Sequence, residues 1–143
     1  MGNGGHPVTI VVDVANVMGS RPDGWWRDRA GAAVRLHDQI AVLAASGRVS
    51  LPDAPGPDGE AGRPGFVMVL EGAARAAADR LAPAEVRVVQ ARGSGDDAIV
   101  DLVRELPGRR VVVTADRELR QRSIAAGAEI AGPGWLLGQL DRS

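Results

Sequence analysis

Four short apolar runs constrain this chain more than any other feature. They are Val8 to Val12 (VTIVV), Phe66 to Leu70 (FVMVL), Val86 to Gln90 (VRVVQ) and Arg110 to Thr114 (RVVVT). Continuous β-branched runs of this length mark strands buried on both faces rather than strands with one wet face. A helical pattern separates or follows them. Between Asp28 and Ala45 the residues Ala33, Leu36, Ile40, Leu43 and Ala44 share one face, with Gly47 as a stop. Ala73 to Leu81 is alanine-rich, Asp96 to Leu106 carries Ile99, Leu102, Val103 and Leu106 at helical spacing, and Arg117 to Ala126 ends at Gly127. Glu129 to Ala131 fits a short fifth strand and Gly134 to Leu140 a closing helix, with Trp135 and Leu136 packing it on the sheet. Strands alternating with helices predict an α/β fold: one three-layer domain around a parallel sheet of four or five strands. A chain of 143 residues suits one domain with a genuine core. Residues 47–65, rich in Pro and Gly, read as a flexible loop, and residues 1–6 as a flexible tail.

The ends of these strands carry acids. Asp13 follows the first run and Glu71 the second; the third leads through ARGSG to Asp96 and Asp97, and the fourth ends at Thr114, Ala115 and Asp116. A parallel sheet brings all four strand ends to one edge, where open α/β sheets bind ligands. Carboxylates gathered within a few ångströms stay ionised only if protons or cations neutralise them. A set rich in oxygen and lacking sulfur suits a hard ion, Mg²⁺ or Mn²⁺. Such an ion polarises a phosphate and lowers the pKa of a bound water, which is the chemistry of phosphodiester hydrolysis.

Capping competes with this reading residue by residue. Ser94 and Asp97 have the spacing of a capping box, and Asp116 precedes a helix as an N-cap does. Asp13 resists that explanation, because VANVMGSRPDG does not read as a helix start.

Composition narrows the class. There is no cysteine, which removes disulfides and thiolate metal sites and fits a cytoplasmic protein. No run approaches a membrane span, and the N-terminus lacks the pattern of a signal peptide, so no membrane partner is expected. All 17 cationic side chains are arginine, against 18 acids. A pI near 6.1 argues against a polyanion binder held by bulk charge, so any nucleic-acid contact must be local and arginine-based.

The motifs DVANVMGS, VLEG, GSGDDAIV and VVVTADRELRQR, in that order over nearly the whole chain, resemble those of NYN domains, the YacP-like branch of the PIN-like nuclease superfamily. The resemblance implies strand order 3-2-1-4-5, with the first and fourth strands adjacent and Asp13 beside Asp116. It implies a metal-dependent ribonuclease or a derived RNA-processing protein. Asp13, Asp96, Asp97 and Asp116 match the acidic metal site, with Glu71 a less regular fifth member. Asn16 matches the asparagine that supports the site and its water, and Thr114 the small hydroxyl residue two before the last acid. The chain departs from the pattern at Glu71, where aspartate is commoner, and at Arg120, where some relatives carry another acid.

For substrate, Arg21, Arg27, Arg29, Arg92, Arg117 and Arg120 lie in sequence near the acidic edge and could collect RNA phosphates. Trp25 and Trp26 fit either a lid over the core or a stacking surface for an unpaired base. His6 and His37 are poor ligand candidates. The leading expectation is hydrolysis of single-stranded or loop RNA with Mg²⁺ or Mn²⁺ as cofactor; self-association into a homo-oligomer is compatible with it. An RNA-binding protein without turnover is the second reading. A small phosphatase or nucleotide hydrolase is the third, weakened because Ala15 stands where a haloacid-dehalogenase-type enzyme has its second aspartate and because no P-loop is present.

Overall fold

A computed structural model describes residues 8–47, 49–51, 64–81 and 84–142. The elements run β1 (Val8–Asp13), α1 (Val14–Gly19), a 3₁₀ turn (Trp25–Arg27), α2 (Arg29–Ser46), β2 (Gly65–Leu70), a 3₁₀ segment (Gly72–Arg80), β3 (Val86–Gln90), α3 (Gly95–Glu105), β4 (Arg109–Val113), α4 (Arg117–Ala125), β5 (Glu129–Ala131) and α5 (Pro133–Arg142). All five strands pair in parallel in the order β3-β2-β1-β4-β5, as the resemblance implies.

Period two along the strands sorts side chains between two cores. Ile10 and Val12 of β1, Met68 and Leu70 of β2, and Val111 and Val113 of β4 join one cluster with α1, α2, the 3₁₀ segment and α5. Val11, Val67, Val69 and Val112 face the other way, against Ile99, Val103 and Leu119 of α3 and α4. The expected three layers result. Leu136 is fully buried, and Trp135 packs beside it with Nε1 donating 3.0 Å to the Ser50 carbonyl.

Two expectations need correction. The segment after β1 is helical: Asp13 is the N-cap of α1, and its Oδ1 accepts from the Asn16 amide at 3.3 Å. The burial of Val14, Val17 and Met18 against the core supplies what local propensity does not. The loop assigned to residues 47–65 is also too wide, since Gly65 opens β2 and Val49 and Leu51 are buried core residues. Most of that segment, like residues 1–6, lies outside the described residues. Gly47 does end α2, in the left-handed conformation at φ 67°.

Candidate active site

The alternation that builds the cores also aims the acids. Asp13 continues the parity of Val11, Glu71 that of Val67 and Val69, and Thr114 that of Val112, so all three belong to the face covered by α3 and α4. The register sets Val12 opposite Val113, which brings Asp13 level with Thr114 at the central strand pair.

A hydrogen-bond network then ties the strand ends together. The Thr114 hydroxyl, fully buried, donates to Asp13 Oδ2 at 2.9 Å and accepts from the Asp116 amide at 3.1 Å. Asn16 Oδ1 accepts from the Ala115 amide at 2.8 Å, stitching α1 to the end of β4. Asp116 Oδ1 caps α4 through the Leu119 amide at 2.9 Å. Asp13 and Asp116 are therefore linked through Thr114, one accepting from its hydroxyl and the other donating to it.

Asp13 is only 6% exposed, and burial pushes its carboxyl up to about 6; the hydrogen bonds from Thr114 and Asn16 oppose this, while the charges of Asp96 and Glu71 add to it. Asp96, half-buried in the first turn of α3, is also raised, first by burial and then by Asp116, Glu71 and Glu118, with Arg122 acting against them. Asp13, Glu71, Asp96 and Asp116 thus share one electrostatic neighbourhood. Asp97 faces elsewhere: the Arg122 guanidinium donates to its Oδ1 at 2.8 Å and its side chain is 69% exposed. The doublet divides its work, Asp96 facing the other acids and Asp97 joining α3 to α4. Ser94 caps α3 as its spacing predicts, accepting from the Asp97 amide at 3.3 Å.

Glu71 is turned to the same helix end. Its Oε2 accepts from the Gly95 amide at 3.2 Å, and a Cβ on Gly95 would stand 2.6 Å from Oε1. A side chain at position 95 would push the carboxylate off that amide. The latch fixes the start of α3 and hence the direction of Asp96. Glu71→Ala is expected to cost about 1 kcal/mol of stability in urea unfolding, with Glu71→Gln, which keeps an acceptor, costing less. Equal losses in the two variants would overturn the latch.

Among the described residues no three His, Asp or Glu side chains stand close enough to ligate one ion together. Magnesium takes one or two carboxylates directly and keeps several waters. Asp13 and Asp96, which feel each other's charge, offer the oxygen donors that such an ion takes.

The arginines separate into classes. Arg21 donates to Gln39 Oε1 at 2.8 Å, and Arg120 Nε to the Thr114 carbonyl at 3.0 Å, bracing the network from below. Arg92 and Arg117 are exposed. Arg27 and Arg29 lie over the rings of Trp26 and Trp25, and of the two rings it is Trp25 that is half-buried. His37 is buried in α2, its Nδ1 3.6 Å from Asp38 Oδ1 of the same helix. Sequence reasoning passed over Glu118, Arg122 and Gly95. The first two are legible only once α4 is known to start at the same edge, and Gly95 only from its contact with Glu71.

Against solved structures, the chain matches Rae1 (YacP) from Bacillus subtilis. A tryptophan-to-leucine mutant of that protein aligns with TM-score 0.68 and 17% identity over 94% of this chain and 75% of the other. The unmutated form gives 0.67 and 15% over 94% and 74%. The fold is that of YacP. No protein-family model and no curated protein matches the sequence. The YacP likeness in three dimensions meets the YacP-like motif order in one, and the shared frame places Asp13, Glu71, Asp96 and Asp116 at the carboxyl edge of the sheet.

Proposed function

We propose that this protein is a metal-dependent ribonuclease whose site is built on Asp13, Asp96 and Asp116, with Asn16 and Thr114 in support. The carrying observation is Asp13: a buried carboxylate at the end of the central strand, its proton affinity raised by burial and by two further acids. Folding a charge into such a place costs free energy, and a cation offsets the cost. Magnesium or manganese, when bound, supplies phosphate polarisation and a more acidic water. The hydrogen bonds from Thr114 and the Asn16 amide favour the ionised form of Asp13 against its burial, and Glu71 holds the Gly95 amide at the start of the helix that carries Asp96. Asp116 stays fixed through its cap. The YacP-like motifs support RNA as substrate, and a pI near 6.1 fits recognition confined to this edge.

Cleavage of a labelled RNA with and without EDTA tests the reading. Chelation is expected to abolish cleavage and added Mn²⁺ or Mg²⁺ to restore it; cleavage indifferent to both would sink the proposal. The two aspartates of the doublet should separate in the same assay. Asp96→Asn is expected to cost about tenfold, and Asp97→Asn no more than a few-fold, because Asp97 only bridges to Arg122 at an exposed position. A larger loss from Asp97→Asn would reverse the assignment.

Glu71, whose carboxylate is engaged by the Gly95 amide, and Arg120, which stands where some relatives carry an acid, favour one second reading, an RNA-binding protein without turnover. It predicts RNA binding with no metal-dependent product.

A further inference from the structure

The acidic edge explains how a phosphodiester is attacked but not what grips the strand. The segment after α1 holds an arrangement that the site does not use. Gly24, left-handed at φ 76°, starts the 3₁₀ turn that sets Trp25 and Trp26 side by side. Their rings meet edge to face, with centroids 6.2 Å apart and planes at 90°. Trp25 is half-buried against the core and lies along Gly19, where a Cβ would stand 3.8 Å from Cζ2. Trp26 remains 56% exposed. The Arg27 guanidinium sits 5.8 Å from the Trp26 centroid, and that of Arg29 5.4 Å from Trp25.

We infer that Trp26, steadied by Trp25 and flanked by Arg27 and Arg29, is a stacking platform for an unpaired base of single-stranded RNA. Trp25 packs edge-on against the ring and the 3₁₀ turn sets its backbone, which limits the freedom that stacking would cost. The cations beside the rings are exposed, as phosphate ligands must be. Two exposed acids lie nearby, Asp23 and Asp28, the second capping α2 through the Gly31 amide at 2.9 Å and so turned to the helix end. Asp13 caps α1, which runs to Gly19, so six residues, roughly 9 Å of helix, lie between Asp13 and the glycine that Trp25 packs along. A base in a duplex is stacked on its neighbours and has no face to give, so the platform selects unpaired RNA.

The identity of the ligand rests on the nuclease reading, and the test keeps the two apart. Binding of a short labelled oligoribonucleotide is measured by anisotropy in the Asp13→Asn background, in EDTA and again in Mg²⁺. Trp26→Ala is expected to weaken single-strand binding about 5- to 20-fold and to leave a duplex of the same sequence unchanged, with Trp26→Phe intermediate. Equal affinity of the two proteins for the single strand overturns the proposal. So does an equal loss for strand and duplex, or no binding in either condition. If wild type shows no metal-dependent cleavage while binding depends on Trp26, the platform stands and the nuclease reading falls.

Discussion

Asp13→Asn should reduce RNA cleavage by roughly 100-fold or more, as expected for a group at the reacting centre, while making the metal-free protein more stable at neutral pH. The second half of that expectation follows from the sign of the pKa shift. A carboxyl raised from 3.8 to about 6 by folding holds its proton more tightly in the native state than in the unfolded one. Native stability therefore falls as pH rises from about 4 to about 6 and changes no further above that, so far as this group is concerned. The shift corresponds to roughly 3 kcal/mol at neutral pH. Asparagine removes the charge but cannot accept on both sides. Its amide must donate toward Thr114, whose hydroxyl already accepts from the Asp116 amide, and this returns about 1 kcal/mol. A net gain of about 2 kcal/mol is expected at pH 7.5 and none below pH 4, read from urea unfolding in EDTA. A variant that is inactive but no more stable at pH 7.5 would show that Asp13 is not held against its own desolvation, and the case for a cation there would weaken with it.

Much of the fold was legible because it rests on patterns that survive without tertiary knowledge. The runs at Val8, Phe66, Val86 and Arg110 became strands, and the helices ended within a residue or two of the expected glycines and caps. The first helix was not, because VANVMG has weak local propensity and is stabilised by burying Val14, Val17 and Met18. Asp13 shows the consequence: it caps that helix and also faces the acids. The site was legible as a set of strand ends and illegible as a geometry. Nothing local distinguishes Asp96 from Asp97; the choice is made by Glu71, which fixes the start of α3, and by Arg122, which draws Asp97 to α4. Both partners are more than 20 residues away in sequence.

Thr114→Val is the substitution that should separate the network from the acids it holds. Valine matches threonine in shape, so the fully buried pocket is kept while its hydroxyl is lost. Two bonds go with it: Asp13 Oδ2 loses a donor and the Asp116 amide loses its acceptor. An orphaned buried polar group costs about 1–3 kcal/mol, so a loss of roughly 2–3 kcal/mol is expected at pH 7.5. The loss should shrink below pH 5, where Asp13 is protonated and the missing bond no longer serves a charge. Since the Thr114 bond lowers the Asp13 pKa, removing it raises that pKa above about 6. The acidic limb of kcat/KM against pH should then move to higher pH, with a loss of up to about 100-fold at neutral pH. Thr114→Ser, which keeps the hydroxyl, should restore the position of the limb even if some packing is lost. A Thr114→Val profile that is lower but superimposable on wild type would mean that the hydroxyl supports only the fold. A displaced limb restored by serine would mean that it sets the charge of Asp13, and through it the readiness of the whole edge to accept a cation.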